Sequence, residues 1–526
     1  MRNLVHYILI VLPFGSFTLG WNSTMDGASE QLLDYAKNQR IPQQAVSSSG
    51  ILIDDIINSL SAGPRGPLLI EDSNFFNQMQ AFNRERISSR IIFGKGGGAS
   101  GYIEITQNLS RFSIAKIFSR SKIKYGVRAR FSRMNADPGR PDTLRDLGSL
   151  AFKFYTEEGN WDLVAINFPV FYIRDPYKFY DLVHALRPNP ATNLPDLNAQ
   201  WNFFTQNPET IPLSLFLYSD YGIPRSFRNM NGYSSNTYSL INSKNNTFYA
   251  RFYLISNQGL ETITNEEAQT LAGTNPDYYI SDLYNNIFAG NFPSWELQVH
   301  IATQRDAHSA SFNIFDPTNL WPRRMFSVFN VGKIVLNKNP SNYFVDVENI
   351  AFNPANMVPG IQPTVDRILQ SRLFAYNDAQ MYRLGVNSNL LMANAPVLDV
   401  HNYERDGMNR YKGNQGGAVN YFINSFNGPV PSPHISILPY SAQGVIAKFK
   451  NSDQRQTFLS ALFNDYNITS EEYIRIVGNL AANLNQVDPS LQMKAVQLYN
   501  STYPRLGEML ATALVKAGLP LKYLLA

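Results

Sequence analysis

Between about residues 90 and 335 the chain repeats one pattern, short runs of alternating apolar and polar residues broken by turn signals. Val127-Arg128-Ala129-Arg130-Phe131-Ser132 alternates so that Arg128, Arg130 and Ser132 fall on one face of a strand. Leu150 to Tyr155 and Trp161 to Phe168 flank Glu157-Glu158-Gly159-Asn160, the arrangement of a hairpin. Phe248 to Leu254 and Trp295 to Ile301 alternate in the same way. Repeated strands of this kind predict an antiparallel barrel or sandwich. The 29 Tyr and 34 Phe supply the bulky residues that such a β core needs.

The flanks read differently. Residues 21 to about 85 look irregular, with Gly63-Pro64-Arg65-Gly66-Pro67 as a rigid turn. Residues 336 to about 450 are rich in Asn, Pro and Gly and show little periodicity. That is too long for an ordinary connection, so a functional or interfacial role is expected. Near the end, Thr469-Ser470-Glu471-Glu472 fits a capping box before a helix over Tyr473 to Leu484, and Lys494 to Leu519 is a helical pattern interrupted at Pro504.

The first residues resemble an address. Met1-Arg2-Asn3 is basic, Leu4 to Leu19 is mostly apolar, and Thr18-Leu19-Gly20 has the small-residue style of a cleavage site, so a signal peptide is expected over residues 1–20. Glycosylation sequons stand at Asn22, Asn108, Asn245, Asn467 and Asn500, which together with the leader favours a secreted glycoprotein. No later stretch is long enough to span a membrane. The absence of cysteine removes disulfides, metal thiolates and cysteine nucleophiles at once. A formal charge of +4 without a basic run argues against a nucleic-acid partner.

Motifs for catalysis are sparse. "RIIFGKGGGASGYIEIT", Arg90 to Thr106, places its lysine before most of the glycines and is followed by a strand, so it is not a phosphate loop. The six histidines show no metal-binding spacing, and no G-x-S-x-G elbow occurs. "RLFAYNDAQ", Arg372 to Gln380, sets a tyrosine four residues after an arginine, near one helical turn. A neighbouring cation favours the phenolate of a group that ordinarily titrates near ~10, and a phenolate is a hard ligand for ferric haem iron.

With that motif the chain resembles the haem catalases over about residues 50 to 500. The resemblance is carried by "AGPRGPLLIED", "FNRERISSRIIFGKGGGASGY", "FKFYTEEGNWDLV", "FYIRDPYKF", "MNGY", "NPDYYISDL", "GKIVLNKNPSNYFVDVENIAFNPANMVPGI", "RLFAYNDAQ" and "NQGGAVNYFINSF". It implies an α+β, mainly β fold. An N-terminal arm would run over 21–93 and an antiparallel eight-stranded β-barrel over 94–338. A long wrapping segment would cover 339–454 and a C-terminal helical domain 455–526. It also implies a homotetramer, haem b as cofactor and hydrogen peroxide as substrate.

Carried over by position, Tyr376 is the axial ligand of the haem iron and Arg372 its partner. Arg90, Arg130 and Arg383 hold the haem propionates, Phe171 and Phe179 pack near the ring, and Ser132 lies beside the distal pocket. The distal side departs from the family. Phe93 stands where the family has its essential histidine, and Ile166 where it has its asparagine, although Asn167 follows. Phenylalanine and isoleucine neither donate nor accept a hydrogen bond. Losing a positioned acid–base group lowers rates by about 10²–10⁴-fold. The expectation is a haem-binding relative whose catalase activity is strongly impaired or lost, a pseudoenzyme or weak peroxidase that takes peroxide or a small neutral ligand. The alternative is a working catalase or peroxidase with a rearranged distal pocket in which Asn167 or Ser132 takes the distal role. Many relatives also bind NADPH, at positions matching Pro212, Phe216, Ser219, Tyr221, Asn231, Ile255 and Trp321-Pro322-Arg323. Tyr221, Ile255 and Pro212 replace the family's arginine, lysine and histidine there, so NADPH is not expected. Eukaryotic relatives are typically peroxisomal, but Tyr523-Leu524-Leu525-Ala526 is unlike the S-K-L signal.

Overall fold

At the tip of the predicted hairpin, Gly159 takes φ +118°, a conformation that L side chains rarely adopt, and the chain reverses within two residues. The strands on either side, β3 (Gly148–Thr156) and β4 (Gly159–Ile166), pair in register from Thr156–Gly159 to Ser149–Ile166. This computed structural model describes residues 26–39, 41–135, 137–432, 444–449, 465–466 and 468–520. The expected leader, Asn22 and Asn467 lie outside them.

The other strands extend this hairpin into a closed ring. β1 (Gly96–Ile105) pairs with β2 (Lys124–Arg133), β2 with β3, and β4 with the short β5 (Gly232–Tyr233). β6 (Tyr238–Ile241) continues beside β5 along β7 (Thr247–Ser256), which pairs with β8 (Ser294–Thr303), and β8 with β9 (Ser327–Lys338). β9 returns to β1, and the small β10 (Ile361–Pro363) flanks β6. With β5 and β6 counted as one interrupted strand, the result is an antiparallel eight-stranded barrel. Closure removes the sheet edges, and that settles barrel against sandwich.

Aromatic side chains pack its core: Phe154 stacks on Trp161 at 4.8 Å and Phe131 on Trp295 at 5.3 Å. The opposite face of β2 is covered as well, for Arg130 and Ser132 are as buried as Phe131 between them. β1 takes part in that close packing through its glycines. A Cβ on Gly96 would lie 2.2 Å from the Phe131 carbonyl oxygen, and one on Gly98 would lie 2.8 Å from the Val347 side chain.

Two parts of the chain are more regular than their sequence indicates. Within residues 21–85 there are helices at Gly27–Asn38 and Ser73–Arg84, started by Asp26 on the Ser29 N–H (2.9 Å) and Asp72 on the Phe75 N–H (3.1 Å). Ser73–Arg84 buries no residue and Gly27–Asn38 only Gly27, although Phe75, Met79 and Phe82 recur at helical spacing in the former. The chain clusters into two units, residues 1–43 and 44–526, and the first contains helix Gly27–Asn38. Within the aperiodic stretch after β9, Phe344–Glu348 forms a π-helical turn and Arg367–Leu384 an 18-residue helix. That helix buries only Ile368, Leu369 and Arg383, which hides it from periodicity.

The C-terminal helices are Ser470–Leu484, Pro489–Thr502 and Pro504–Lys516. Pro504 opens the last helix, where its missing N–H does no harm, so the expected interruption is a helix boundary. Thr469 caps Ser470–Leu484 by accepting the Glu472 N–H at 3.1 Å. Leu480, Leu484, Tyr499, Leu506 and Leu510 pack in one apolar cluster with Trp201, Phe204, Leu213 and Phe216 from the helical connection between β4 and β5. Among the described residues, no helix is long and apolar enough to cross a membrane.

Candidate functional site

Helix Arg367–Leu384 brings Arg372 and Tyr376 one turn apart against the outer face of the barrel. The Arg372 Nη2 donates to the Tyr376 hydroxyl at 2.9 Å, and the guanidinium lies 4.9 Å over the phenol ring. The same Nη2 also donates to the Val164 carbonyl, at 3.3 Å. Burial would lower the Arg372 pKa, but Tyr376, Tyr238 and Asp366 outweigh it and hold the group above its ordinary value. The geometry expected from four-residue spacing is present in full.

Tyr376 faces a cavity of about 200 Å³. Its apolar wall includes Phe93, Ile166, Phe171, Phe179, Met134 and Ile368. Phe171 and Phe179 stack at 6.4 Å. Phe93 and Ile166 therefore reach the same cavity as Tyr376, from separate elements: the entry to β1 and the end of β4. Phe93 is held at φ +61°, uncommon for a bulky residue. Its N–H donates to the Met134 carbonyl at 3.0 Å, and its carbonyl accepts from Arg130 Nη1 at 2.9 Å. Both sides of the strained residue are thus pinned.

The remaining polar lining comes from Ser149, Ser234, Ser235, Asn236 and Ser371, none of them evident from the sequence. All four hydroxyls donate to backbone carbonyls: Ser149 to Ala165 (3.2 Å), Ser234 to Asn236 (2.9 Å), Ser235 to Phe168 (3.4 Å) and Ser371 to Ile368 (2.9 Å). The Asn236 amide bridges Arg372 and Asp366. Among the described residues, no histidine, aspartate or glutamate lines the cavity. Ser132 and Asn167 do not line the cavity either. Asn167 accepts the Gly148 N–H at 2.7 Å and donates to the Tyr221 carbonyl at 3.3 Å, whereas the Ser132 hydroxyl has no partner among the described residues.

Arg90, Arg130 and Arg383 gather beside this cavity rather than in its lining. Arg90 Nη2 donates to the carbonyls of Val347, Glu348 and Ile350. Arg383 donates to the same Glu348 and Ile350 carbonyls, at 2.6 and 3.0 Å. Arg130 donates to Phe93 and Gly94 and so ties the group to the cavity rim. Glu348 is the carboxylate they share, 3.2 Å from Arg90 and 3.9 Å from Arg383. Burial and the neighbouring Arg90 push Arg130 and Arg383 down to about 9. Arg130 Nε is also buried without a hydrogen-bond partner. Three guanidiniums against one carboxylate, with one donor unused, leave a surplus of positive charge suited to an anionic group.

The positions compared with a dinucleotide cleft converge on Tyr466 instead. Phe216 meets its ring edge-on at 5.2 Å, and the Arg323 guanidinium lies 5.5 Å over it. Tyr221 donates to the Tyr466 carbonyl at 3.2 Å, and the Arg323 N–H to Asp465 at 2.9 Å. Ser219 and Asn231 are buried and hydrogen-bonded within the fold, while Trp321 donates to the Ile314 carbonyl. Tyr466 itself is 6% exposed, so the chain's own aromatic ring fills the space between these residues.

Comparison with known proteins agrees with this architecture. A family model described as catalase matches residues 46–428. Catalase of Glandirana rugosa is 40% identical over 480 residues, covering 91% of either chain. Catalase of Ascaris suum is 41% identical over 490 residues, covering 93% of this chain and 90% of its own. Among solved structures, a fungal catalase superposes with TM-score 0.87 at 35% identity over 91% of this chain and 96% of that one. Catalase A from Saccharomyces cerevisiae gives TM-score 0.84 at 34% identity, covering 90% and 99%. With the barrel, the Arg372–Tyr376 pair and these relatives in agreement, the chain belongs to the catalase family.

Proposed function

We propose that this protein is a secreted haem-binding member of the catalase family whose capacity to disproportionate hydrogen peroxide is lost or strongly reduced. The residues present fit haem. Tyr376 would supply an oxygen ligand, its hydroxyl held in place by the hydrogen bond from Arg372. Arg90, Arg130 and Arg383 would hold the propionates, and Phe171 and Phe179 would pack on the ring. When bound, the group would supply a redox-active iron at which peroxide can be cleaved. The chain's own part in such a reaction is to take a proton from one peroxide oxygen and return it to the other.

One observation carries the loss of activity: among the described residues, the cavity lining holds no group able to do this. Phe93 and Ile166 are apolar, the serine hydroxyls are committed to carbonyls, and no imidazole or carboxylate is present. A catalase or peroxidase with a rearranged distal pocket would need Asn167 or Ser132 in the cavity. The hydrogen bonds of Asn167 to Gly148 and Tyr221 speak against the first. An apolar cavity favours a small neutral ligand instead. The filled cleft around Tyr466 supports the absence of NADPH binding.

The test uses one purified sample. Its absorption spectrum should show a tyrosinate-type haem that Tyr376→Phe removes, and oxygen release from peroxide should be near background. Vigorous oxygen evolution would refute the loss of activity. A spectrum without haem after reconstitution would refute the haem reading.

Exposed Asn108, Asn245 and Asn500 support glycosylation in a secretory route. The large apolar side chains exposed over residues 46–91 and 381–430 support a homotetramer covering them.

A further inference from the structure

The barrel sorts its charged side chains by end. Neighbouring strands run antiparallel, so β1, β3, β6 and β8 finish where β2, β4, β7 and β9 begin. At the opposite end, cations meet carboxylates: Lys95 lies 3.1 Å from Asp142 and 2.8 Å from Asp277, and Arg228 lies 2.7 Å from Asp282. At this end they do not. Arg111, Lys116, Arg120, Lys122, Lys244 and Arg305 are exposed, and none has an ion pair or a side-chain hydrogen bond among the described residues.

The carboxylates of this end are engaged locally. Glu104 pairs with Lys124 at 3.4 Å, and Glu158 accepts the Lys116 N–H at 2.8 Å. Asp306 accepts the Thr303 N–H in a capping box, and Glu157 lies 3.5 Å from the Tyr125 hydroxyl.

The loops that carry the cations are tied to one another. Asn242 Nδ2 donates to the Arg111 carbonyl at 2.8 Å and joins the β6–β7 turn to the β1–β2 loop. The Lys116–Glu158 bond joins that loop to the β3–β4 turn. The Arg111 guanidinium lies 4.3 Å over Phe112 and 4.9 Å over Phe329.

Unpaired cations gathered on one surface hold counterions there, and a linear polyanion that displaces them gains from their release. A surface that binds bilayers inserts apolar side chains, and one that binds single-stranded nucleic acid stacks bases on exposed rings. Among the described residues of the β1–β2 loop no large apolar side chain is exposed. Phe118 is buried, and Phe112 packs against Phe248 and Phe329 at 5.0 and 5.2 Å. What remains is charge spread over three loops, which suits a flexible chain of repeated sulfates.

We propose that this end of the barrel is a docking surface for an extracellular sulfated polysaccharide, gripped chiefly by Lys116, Arg120 and Lys122. The choice of partner rests on the secretory reading above. None of these cations lies in residues 46–91 or 381–430, whose apolar surface the proposed tetramer covers.

Calorimetric titration with heparin, on protein collected from culture medium, tests the assignment. Saturable binding is expected, weaker by about tenfold or more when salt rises from about 50 to about 200 mM. Lys116→Gln with Arg120→Gln should weaken it by about tenfold. Lys494→Gln with Arg505→Gln, the same change of charge on the C-terminal helices, should stay within about twofold. Glu157→Gln, which removes an exposed carboxylate from this end, should tighten binding by about threefold, a gain that misfolding cannot produce. No saturable heat, equal losses from the two double variants, or a Glu157→Gln variant that binds no better overturns the proposal. So does tighter binding to duplex DNA or to phosphatidylserine vesicles. Binding seen only after glycosidase treatment also overturns it, since the sequons at Asn108 and Asn245 lie at this end. Protein retained in the cell refutes the secretory reading and the partner with it, whereas secreted protein that does not bind heparin refutes the docking surface alone.

Discussion

Phe93 combines two features that pull apart chemically: a side chain without polar atoms and a strained backbone hydrogen-bonded on both sides. The Met134 and Arg130 contacts use only its main chain, so they do not depend on which side chain stands there. Phe93→His with Ile166→Asn should therefore place polar groups in the cavity without disturbing its walls. We expect peroxide turnover to rise by about 10²-fold or more over the parent, measured as oxygen release. No rise in a haem-loaded double variant would mean that the defect lies elsewhere. At this scale the sequence is informative where a contact depends on spacing: Arg372 and Tyr376 follow from four residues of helix. It is silent on Ser149, Ser234, Ser235 and Ser371, because each hydroxyl is committed to a carbonyl that only the folded chain brings near. The same holds for Asn167, which the sequence leaves free to enter the pocket and the fold turns toward Gly148.

Among the elements, β1 and the first C-terminal helix make opposite demands on their residues. β1 has no room at Gly96, where a Cβ would meet the Phe131 carbonyl, whereas one at Gly97 would sit 3.5 Å or more from Ile280 and Leu283. Gly96→Ala should destabilise the protein by several kcal/mol or prevent folding, and Gly97→Ala should stay within about 1 kcal/mol, both read by denaturant unfolding. In helix Ser470–Leu484, Glu472 is buried beside Asp220, and burial first, then that carboxylate, push it up to about 7 against the opposing pull of Arg475. Its Oε1 has no hydrogen-bond partner. A carboxyl raised in the folded state adds stability below its unfolded pKa and loses it as pH rises through about 7. The melting temperature should therefore fall across that interval, and Glu472→Gln should flatten the fall. An unchanged slope in the variant would exclude Glu472 as its source. Elements with alternating strands or a proline boundary were legible from sequence. Helix Arg367–Leu384 was not, since its apolar residues do not gather on one face, whereas Ser73–Arg84 carries a readable signal in the spacing of Phe75, Met79 and Phe82.

For the whole molecule the exposed apolar residues are the open account. Ile57 is 89%, Ile70 85%, Tyr382 81% and Ile423 80% exposed, far beyond scattered surface apolars. If four copies cover them, light scattering of the protein collected from culture medium should give four times the mass of the chain without its leader, somewhat below four times 59.5 kDa, plus a glycan increment removed by glycosidase. A mass near one chain would refute the tetramer, and no change on glycosidase treatment would refute the glycans. The overall plan was legible because the strands alternate and the motifs run in family order. The filled cleft was not, because Tyr466 lies more than 140 residues beyond Arg323 in the chain. That filling has a consequence for any ligand approaching from solution. Tyr466 belongs to the same chain as Phe216, Tyr221 and Arg323, so a ligand entering between them would have to displace a packed ring and replace the contacts that ring makes. Access to that surface is thus set by the chain itself rather than by the supply of ligand outside.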